Sequence, residues 1–226
     1  MKLTYPAILL NFKSYKEAAG DRGLYLAKTA ERVALQTGVN VAVCPSVVEM
    51  AKFVQNVSIP VLSQHCDPYE PGPYTGAVVA EHLKEIGVAG SLLNHSEKRL
   101  KLSEISAAVV RLRGVGLDTV VCADDLAAAA GAAALEPSAV AVEPPELIGS
   151  GISVSTAKPE VVMGAVRTVK AIKPNVHVIC GAGVSNAKDV RKAVDLGAEG
   201  VLLSSAYVKS RNPEQLLLEM CKALLV

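Results

Sequence analysis

Short apolar runs bounded by breakers recur along this chain, and their spacing constrains the fold more than any other feature. They stand at Ala7–Leu10, Val39–Cys44, Pro60–Ser63, Gly90–Leu93, Thr119–Cys122, Ala139–Val142, Val176–Cys180 and Gly200–Leu203. Each is shorter than an ordinary helix and apolar on both sides, which describes a strand buried on both faces, as in parallel sheets. Between them lie stretches with helical spacing, such as Leu24 to Val33, Lys158 to Lys173, Asn186 to Leu196 and Pro213 to Leu224. Helix starts are written locally: Ser103 before Glu104, Ser185-Asn186 before Ala187, and Asn212-Pro213-Glu214 as a cap with proline in the first turn. Gly38, Gly116 and Gly197 fall where helices should end.

Eight strand-then-helix units in 226 residues average about 28 residues each, close to the roughly thirty of a βαβ unit. No linker or change of composition divides them, so residues 1–226 are expected to form a single closed (β/α)8 barrel domain. An open doubly wound sheet is the structural alternative. That fold carries Gly-x-Gly-x-x-Gly in its first β-to-α turn, where this chain reads Asn11-Phe12-Lys13-Ser14.

Composition removes several function classes. Formal net charge is +1 with few aromatics and no basic block, so a nucleic-acid partner is not expected. No apolar run is long enough to span a bilayer, and no signal-peptide layout opens the chain. The five cysteines show no Cys-x-x-Cys spacing, and Cys44, Cys122 and Cys180 each close an apolar run. Small buried hydrophobes in a reducing cytoplasm are the expectation, with neither disulfide scaffold nor metal site.

In a barrel, chemistry sits where strands hand over to loops at their carboxyl ends. Those positions hold Asn11 and Lys13, Gln64 and His65, Asn94-His95-Ser96-Glu97, Glu143, Gly181-Ala182-Gly183 and Ser204-Ser205. Pro144 and Pro145 end the sixth strand at once, which fixes the Glu143 carboxylate at its tip. Asn11 and Lys13 share a side because Phe12 alternates with them. His95 stands at a strand-to-helix junction, where a helix N-terminus would favour the neutral imidazole. Exposed N–H groups around Gly183, Ser204 and Ser205 suit a phosphate on the last two strands. Taken singly, each has an ordinary reading: a solvated glutamate, a snorkelling lysine, a structural histidine, a turn glycine. His65, His82 and His177 lack such company and are read as structural. No metal-ligand set is apparent.

Taken in order, Asn11-Phe12-Lys13, Asn94 to Arg99, Glu143 to Gly151, Gly181-Ala182-Gly183-Val184 and Ser204-Ser205 resemble the triosephosphate isomerase family across essentially the whole chain. The short length and the Glu-Pro-Pro-Glu segment resemble its compact archaeal branch. Glu146 stands where bacterial and eukaryotic members have an aromatic, and Ser204-Ser205 where they have two glycines. The resemblance implies cofactor-free interconversion of dihydroxyacetone phosphate and glyceraldehyde 3-phosphate in the cytoplasm, within glycolysis and gluconeogenesis. Glu143 would be the base, His95 the electrophile and Lys13 the fixed cation, with Asn11 orienting Lys13 and Glu97 in support. Ile148, Gly149, Gly183, Ser204 and Ser205 would hold the substrate, under a lid from Pro144 to Gly151. The loop Gln64 to Gly76 would insert into a second copy, giving a homodimer or homotetramer. Two rivals share the barrel: a Schiff-base aldolase with Lys13 as nucleophile, and a phosphosugar-binding barrel without turnover.

Overall fold

The computed structural model describes residues 2–144, 147 and 152–225. All eight expected strands form: β1 (Ala7–Asn11), β2 (Asn40–Cys44), β3 (Leu62–Ser63), β4 (Gly90–Leu93), β5 (Asp118–Ala123), β6 (Ala139–Val142), β7 (His177–Gly181) and β8 (Gly200–Leu203). They pair in parallel in the order β2-β1-β8-β7-β6-β5-β4-β3. The two ends meet through a parallel bridge between Val43 and Val61 and a hydrogen bond from the Val43 N–H to the Pro60 carbonyl, 3.0 Å. The sheet is therefore a (β/α)8 barrel and not an open doubly wound sheet. Strand β3 is shorter than the run Pro60–Ser63 because proline has no N–H for the ladder, although its carbonyl still takes part.

Strand alternation divides the core into two layers. Leu9, Ala42, Leu62, Leu92, Val120, Ala141, Ile179 and Leu202, one from each strand, fill the barrel interior. Their neighbours in sequence, such as Ile8, Leu10, Val41 and Val43, point outward and pack beneath helices. Carried one step further, the same alternation aims Asn11, Glu143, Gly181 and Ser204 inward at the carboxyl rim. Phe12 faces the opposite way and is fully buried against Phe53 and Tyr207.

The outer layer is built from α1 (Gly20–Thr37), α2 (Met50–Val54), α3 (Ala80–Glu85), α4 (Leu102–Gly114), α5 (Leu126–Ala134), α6 (Val154–Ala157), α7 (Pro159–Ile172), α8 (Ala187–Asp195), α9 (Ser205–Val208) and α10 (Pro213–Leu225). The Asn186 side chain caps α8 by accepting from the N–H groups of Lys188 and Asp189, and Asn212 accepts from the N–H of Gln215 at the start of α10. Gly38 ends α1 in the left-handed region at φ 72°. Ser103 does not cap α4: the helix begins one residue earlier, and the Glu104 carboxylate accepts from the N–H of Lys101 at 2.7 Å. At the opposite, amino end of the barrel, Asp118 accepts from the Leu3 N–H and the Ser138 hydroxyl, and Tyr5 stacks on His177. Among the described residues, no helix is long and apolar enough to cross a membrane.

Because Leu92 is fully enclosed in the inner layer, Leu92→Ala leaves a cavity that the surrounding strands cannot fill. Urea denaturation is expected to show a loss of about 2–5 kcal/mol. A loss below 1 kcal/mol would mean that the inner layer is not close-packed.

Candidate active site

Each ionisable group at the carboxyl rim is held by backbone contacts that its own strand or loop provides. Asn11 closes β1, and its Oδ1 accepts from the Lys13 N–H at 3.0 Å, bending the chain so that Lys13 sits at φ 48°. Such a conformation is uncommon for a residue with a Cβ and needs outside support. Gln64, at the end of β3, supplies it: its Nε2 donates to the carbonyls of Lys13 (3.0 Å) and Cys44 (2.9 Å). The Lys13 side chain is 13% exposed, and its Nζ donates to Glu97 Oε1 at 2.7 Å.

His95 is 6% exposed. The helix after β4 starts only at Leu102, so no helix N-terminus meets the ring as the sequence suggested. A turn does the work instead. The Lys98 N–H donates to the His95 carbonyl at 2.7 Å, and the Glu97 N–H donates to Nδ1 at 3.2 Å. A ring nitrogen that accepts an N–H carries no proton of its own, which leaves the proton on Nε2 of a neutral imidazole. That Nε2 lies 3.7 Å from Glu143 Oε2. Asn94, also left-handed at φ 58°, stays out of the cavity. It staples the loop by donating to the Cys122 carbonyl and accepting from the Leu100 N–H. Arg99 pairs with Asp124, so Glu97 is left to join Lys13 to His95.

Glu143 is 6% exposed at the tip of β6, with its N–H bonded to the Ala123 carbonyl at 2.8 Å. Its side chain lies flat across Gly181, where a Cβ would stand 2.4 Å from Glu143 Cγ. Among the described residues, Glu143 Oε2 has no hydrogen-bond partner. An orphaned buried carboxylate oxygen is costly unless something fills the space before it. Burial also pushes the nearby Cys122 thiol well above its ordinary range, and the Glu143 carboxylate adds to the effect.

A cavity of about 310 Å³ joins Asn11, Lys13, His95 and Glu143 on one side to Gly183, Ser204 and Ser205 on the other. Ala182 and Gly183 are both left-handed, at φ 68° and 70°. Gly183 also packs so closely on the carbonyl of Ile152 that a Cβ there would overlap it at 1.8 Å. Among the described residues, the N–H groups of Gly183 and Ser205 donate to no protein acceptor. Ile148 and Gly149 lie outside the described residues, as does most of the segment from Pro144 to Gly151 expected to be a lid. Of the three histidines read as structural, His65 meets Asp67 and His177 meets Glu199, while His82 is exposed on α3. Sequence reasoning placed Gln64 at the rim without a role, and it read Cys122 only as a buried hydrophobe. Neither its hydrogen bonds nor the proximity to Glu143 has a sequence signal.

A closed parallel barrel with a carboxylate, a neutral imidazole and an ammonium around one rim cavity has the build of a barrel enzyme that moves protons on a small anionic substrate. The family model for triosephosphate isomerase matches residues 6–224. Triosephosphate isomerase of Methanocaldococcus jannaschii is 49% identical over 95% of this chain and 98% of its own length. That of Methanothermus fervidus is 50% identical over 95% and 97%, and that of Pyrobaculum arsenaticum 49% over 99% and 100%. The chain belongs to the triosephosphate isomerase family, and these three relatives lie in the archaeal branch that the sequence resembles.

Gly181→Ala tests the packing of Glu143. The added methyl must displace the Glu143 side chain, and a shift of about 1 Å at a reacting group can lower the rate by about 10²-fold. Steady-state kinetics should show a fall of that order in kcat with a far smaller change in KM. Wild-type kcat would mean that Glu143 does not need the place Gly181 leaves for it.

Proposed function

We propose that this chain interconverts dihydroxyacetone phosphate and D-glyceraldehyde 3-phosphate, with Glu143 as the base, His95 as the electrophile and Lys13 as the fixed cation. The observation that carries the reading is the Glu143 oxygen without a partner among the described residues, 3.7 Å from a proton-bearing His95 Nε2 and sharing a cavity with Lys13. A carbon acid beside a carbonyl is weak, so its ionisation needs a positioned base and donors aimed at the oxygen that gains charge. Glu143 takes a proton from one carbon, and the C–H electron pair becomes the carbon–carbon double bond of an enediolate. His95 Nε2–H and the Lys13 ammonium stabilise the developing oxyanion. Glu143 then returns the proton to the neighbouring carbon while a second proton passes between the two oxygens. The sequence requires no cofactor.

The N–H groups of Gly183, Ser204 and Ser205 would receive the phosphate, with Ile148 and Gly149 completing the site from the lid. Exclusion of water by that lid would protect the enediolate from losing its phosphate. The aldolase alternative is disfavoured because Lys13 Nζ is engaged in an ion pair with Glu97 and not offered as a free amine. A cytoplasmic place in glycolysis and gluconeogenesis goes with this reading, and five free, buried cysteines suit a reducing compartment.

The same reading includes self-association through the loop Gln64 to Gly76. The turn is held by the Asp67 carboxylate, which accepts from the Val78 N–H and faces His65. Residues 69–76 project into solvent, with Tyr69 and Tyr74 stacked at 4.3 Å. A second cavity of about 550 Å³, lined by Asn11, Lys13, Val47, Gln64 and Glu97 among others, adjoins the first and could take such a loop from another copy. A homodimer, or a homotetramer built from dimers, is expected.

Proton NMR of dihydroxyacetone phosphate in D2O with added chelator tests the chemistry. Glyceraldehyde 3-phosphate carrying carbon-bound deuterium should form with the wild type and not with Glu143→Gln. Binding without turnover by the wild type would remove the isomerase reading in favour of a phosphosugar-binding barrel. Light scattering tests the association: a dimeric or tetrameric mass is expected, and a fully active monomer would overturn it.

A further inference from the structure

Asp189 lies in the first turn of α8, is 8% exposed, and has no place in the chemistry described above. Its Oδ2 gathers three donors: the Ser185 N–H at 2.9 Å, the Ser185 hydroxyl at 3.0 Å and Asn186 Nδ2 at 3.0 Å. The carboxylate stands at N3 of the helix, its own N–H bonded to the Asn186 cap, and it reaches back past the cap residue to Ser185. What the carboxylate fixes is the turn between β7 and α8. That turn contains the left-handed pair Ala182 and Gly183, and Ala182 cannot hold φ 68° without support from outside.

The same residue reaches the segment that follows the lid. The Ser155 hydroxyl donates to the Asp189 carbonyl at 3.1 Å and shares a second hydrogen bond with Ser153 Oγ at 2.8 Å. Ser153 and Ser155 are buried, and the Val154 N–H between them donates to the Ala182 carbonyl at 3.2 Å. The turn is thus clamped from both directions. The clamp has a directional consequence. The Ser185 N–H is consumed by the carboxylate, whereas the Gly183 N–H, at the cavity, has no acceptor among the described residues.

We propose that Asp189 is a positioning residue for the substrate's phosphate: it fixes the Gly181–Ser185 turn so that the Gly183 N–H is held toward the cavity as a phosphate donor. The proposal rests on the triose phosphate reading of the site. Asp189 touches no reacting atom. Its contribution is confined to the phosphate end of the cavity, away from Glu143, His95 and Lys13.

The experiment compares glyceraldehyde 3-phosphate with D-glyceraldehyde, which has the same reacting carbons and no phosphate. Asp189→Ala should lower kcat/KM for the phosphorylated substrate by about tenfold or more, mainly through KM, and raise the inhibition constant of inorganic phosphate by a similar factor. Its kcat/KM for D-glyceraldehyde should stay within about twofold of wild type. Asp189→Asn keeps one carbonyl acceptor for the Ser185 N–H and should recover a large part of the loss. Equal losses on both substrates, or no loss on either, would overturn the proposal and reduce Asp189 to a structural residue. If Asp189→Ala does not fold, Asp189→Ser, whose shorter side chain cannot gather the three donors, carries the same two-substrate comparison with the same overturning outcomes. A wild type inert toward glyceraldehyde 3-phosphate defeats the functional reading itself, whereas an active wild type with insensitive variants defeats this inference alone.

Discussion

Everything at the rim depends on the closure of a parallel ladder by the contact between Val43 and the Pro60–Val61 segment. An open sheet has two faces, and alternate residues would point to opposite sides of a slab. A closed one turns alternation into inside and outside. Residues two apart on every strand then converge on one axis. Leu9 and Asn11 on β1, Ala141 on β6 followed by Glu143 just past it, and Leu202 on β8 followed by Ser204 are successive rungs of that pattern. The same geometry that packs the barrel interior delivers a carboxylate and a carboxamide to the top of it.

Above the last packed layer the backbone gives up regular geometry, and the site is made from the irregularities. Lys13, Asn94, Ala182 and Gly183 all have positive φ, and all lie at strand exits facing or flanking the cavity. Each is held by a specific partner: Asn11 and Gln64 for Lys13, Cys122 and Leu100 for Asn94, Val154 and the Asp189-bound turn for the Ala182–Gly183 pair. Conformations of this kind persist only where the surroundings over-determine them. The polar network around the rim is therefore part of how the rim side chains are aimed.

Charge follows the same logic. Glu97 lies against both Lys13 Nζ and the His95 ring, and its backbone N–H sets the tautomer of His95. One residue thus governs the placement of the cation and the proton on the imidazole. Glu143 is treated differently: it leans on Gly181 with one oxygen unpartnered among the described residues, in the space opposite His95. A satisfied cation beside an unsatisfied carboxylate is the polarity expected where the missing partner is a substrate.

The architecture was readable because burial on both faces leaves a direct mark: short apolar runs ended by Pro, Gly or polar residues, with a helix-length gap after each. Asn11, Lys13, His95 and Glu143 were readable as strand-end residues, since period-two alternation survives one step past a strand. The start of α4 was misjudged at Ser103 because Lys101 and Glu104 use a backbone-to-carboxylate contact that composition does not advertise. The neutralising contact to His95 was assigned to a helix N-terminus when a turn provides it. Gln64 reaching Lys13 across 51 positions, Glu97 reaching Lys13 across 84 and Asp189 bonding to Ser155 across 34 had no sequence mark at all. The sequence by itself determined the eight units, the inward and outward faces, and which chemical groups stand at the rim, because those depend on local pattern. Only the tertiary structure decided which groups meet, which proton His95 holds and which N–H remains open at Gly183, because those depend on distances set by barrel closure.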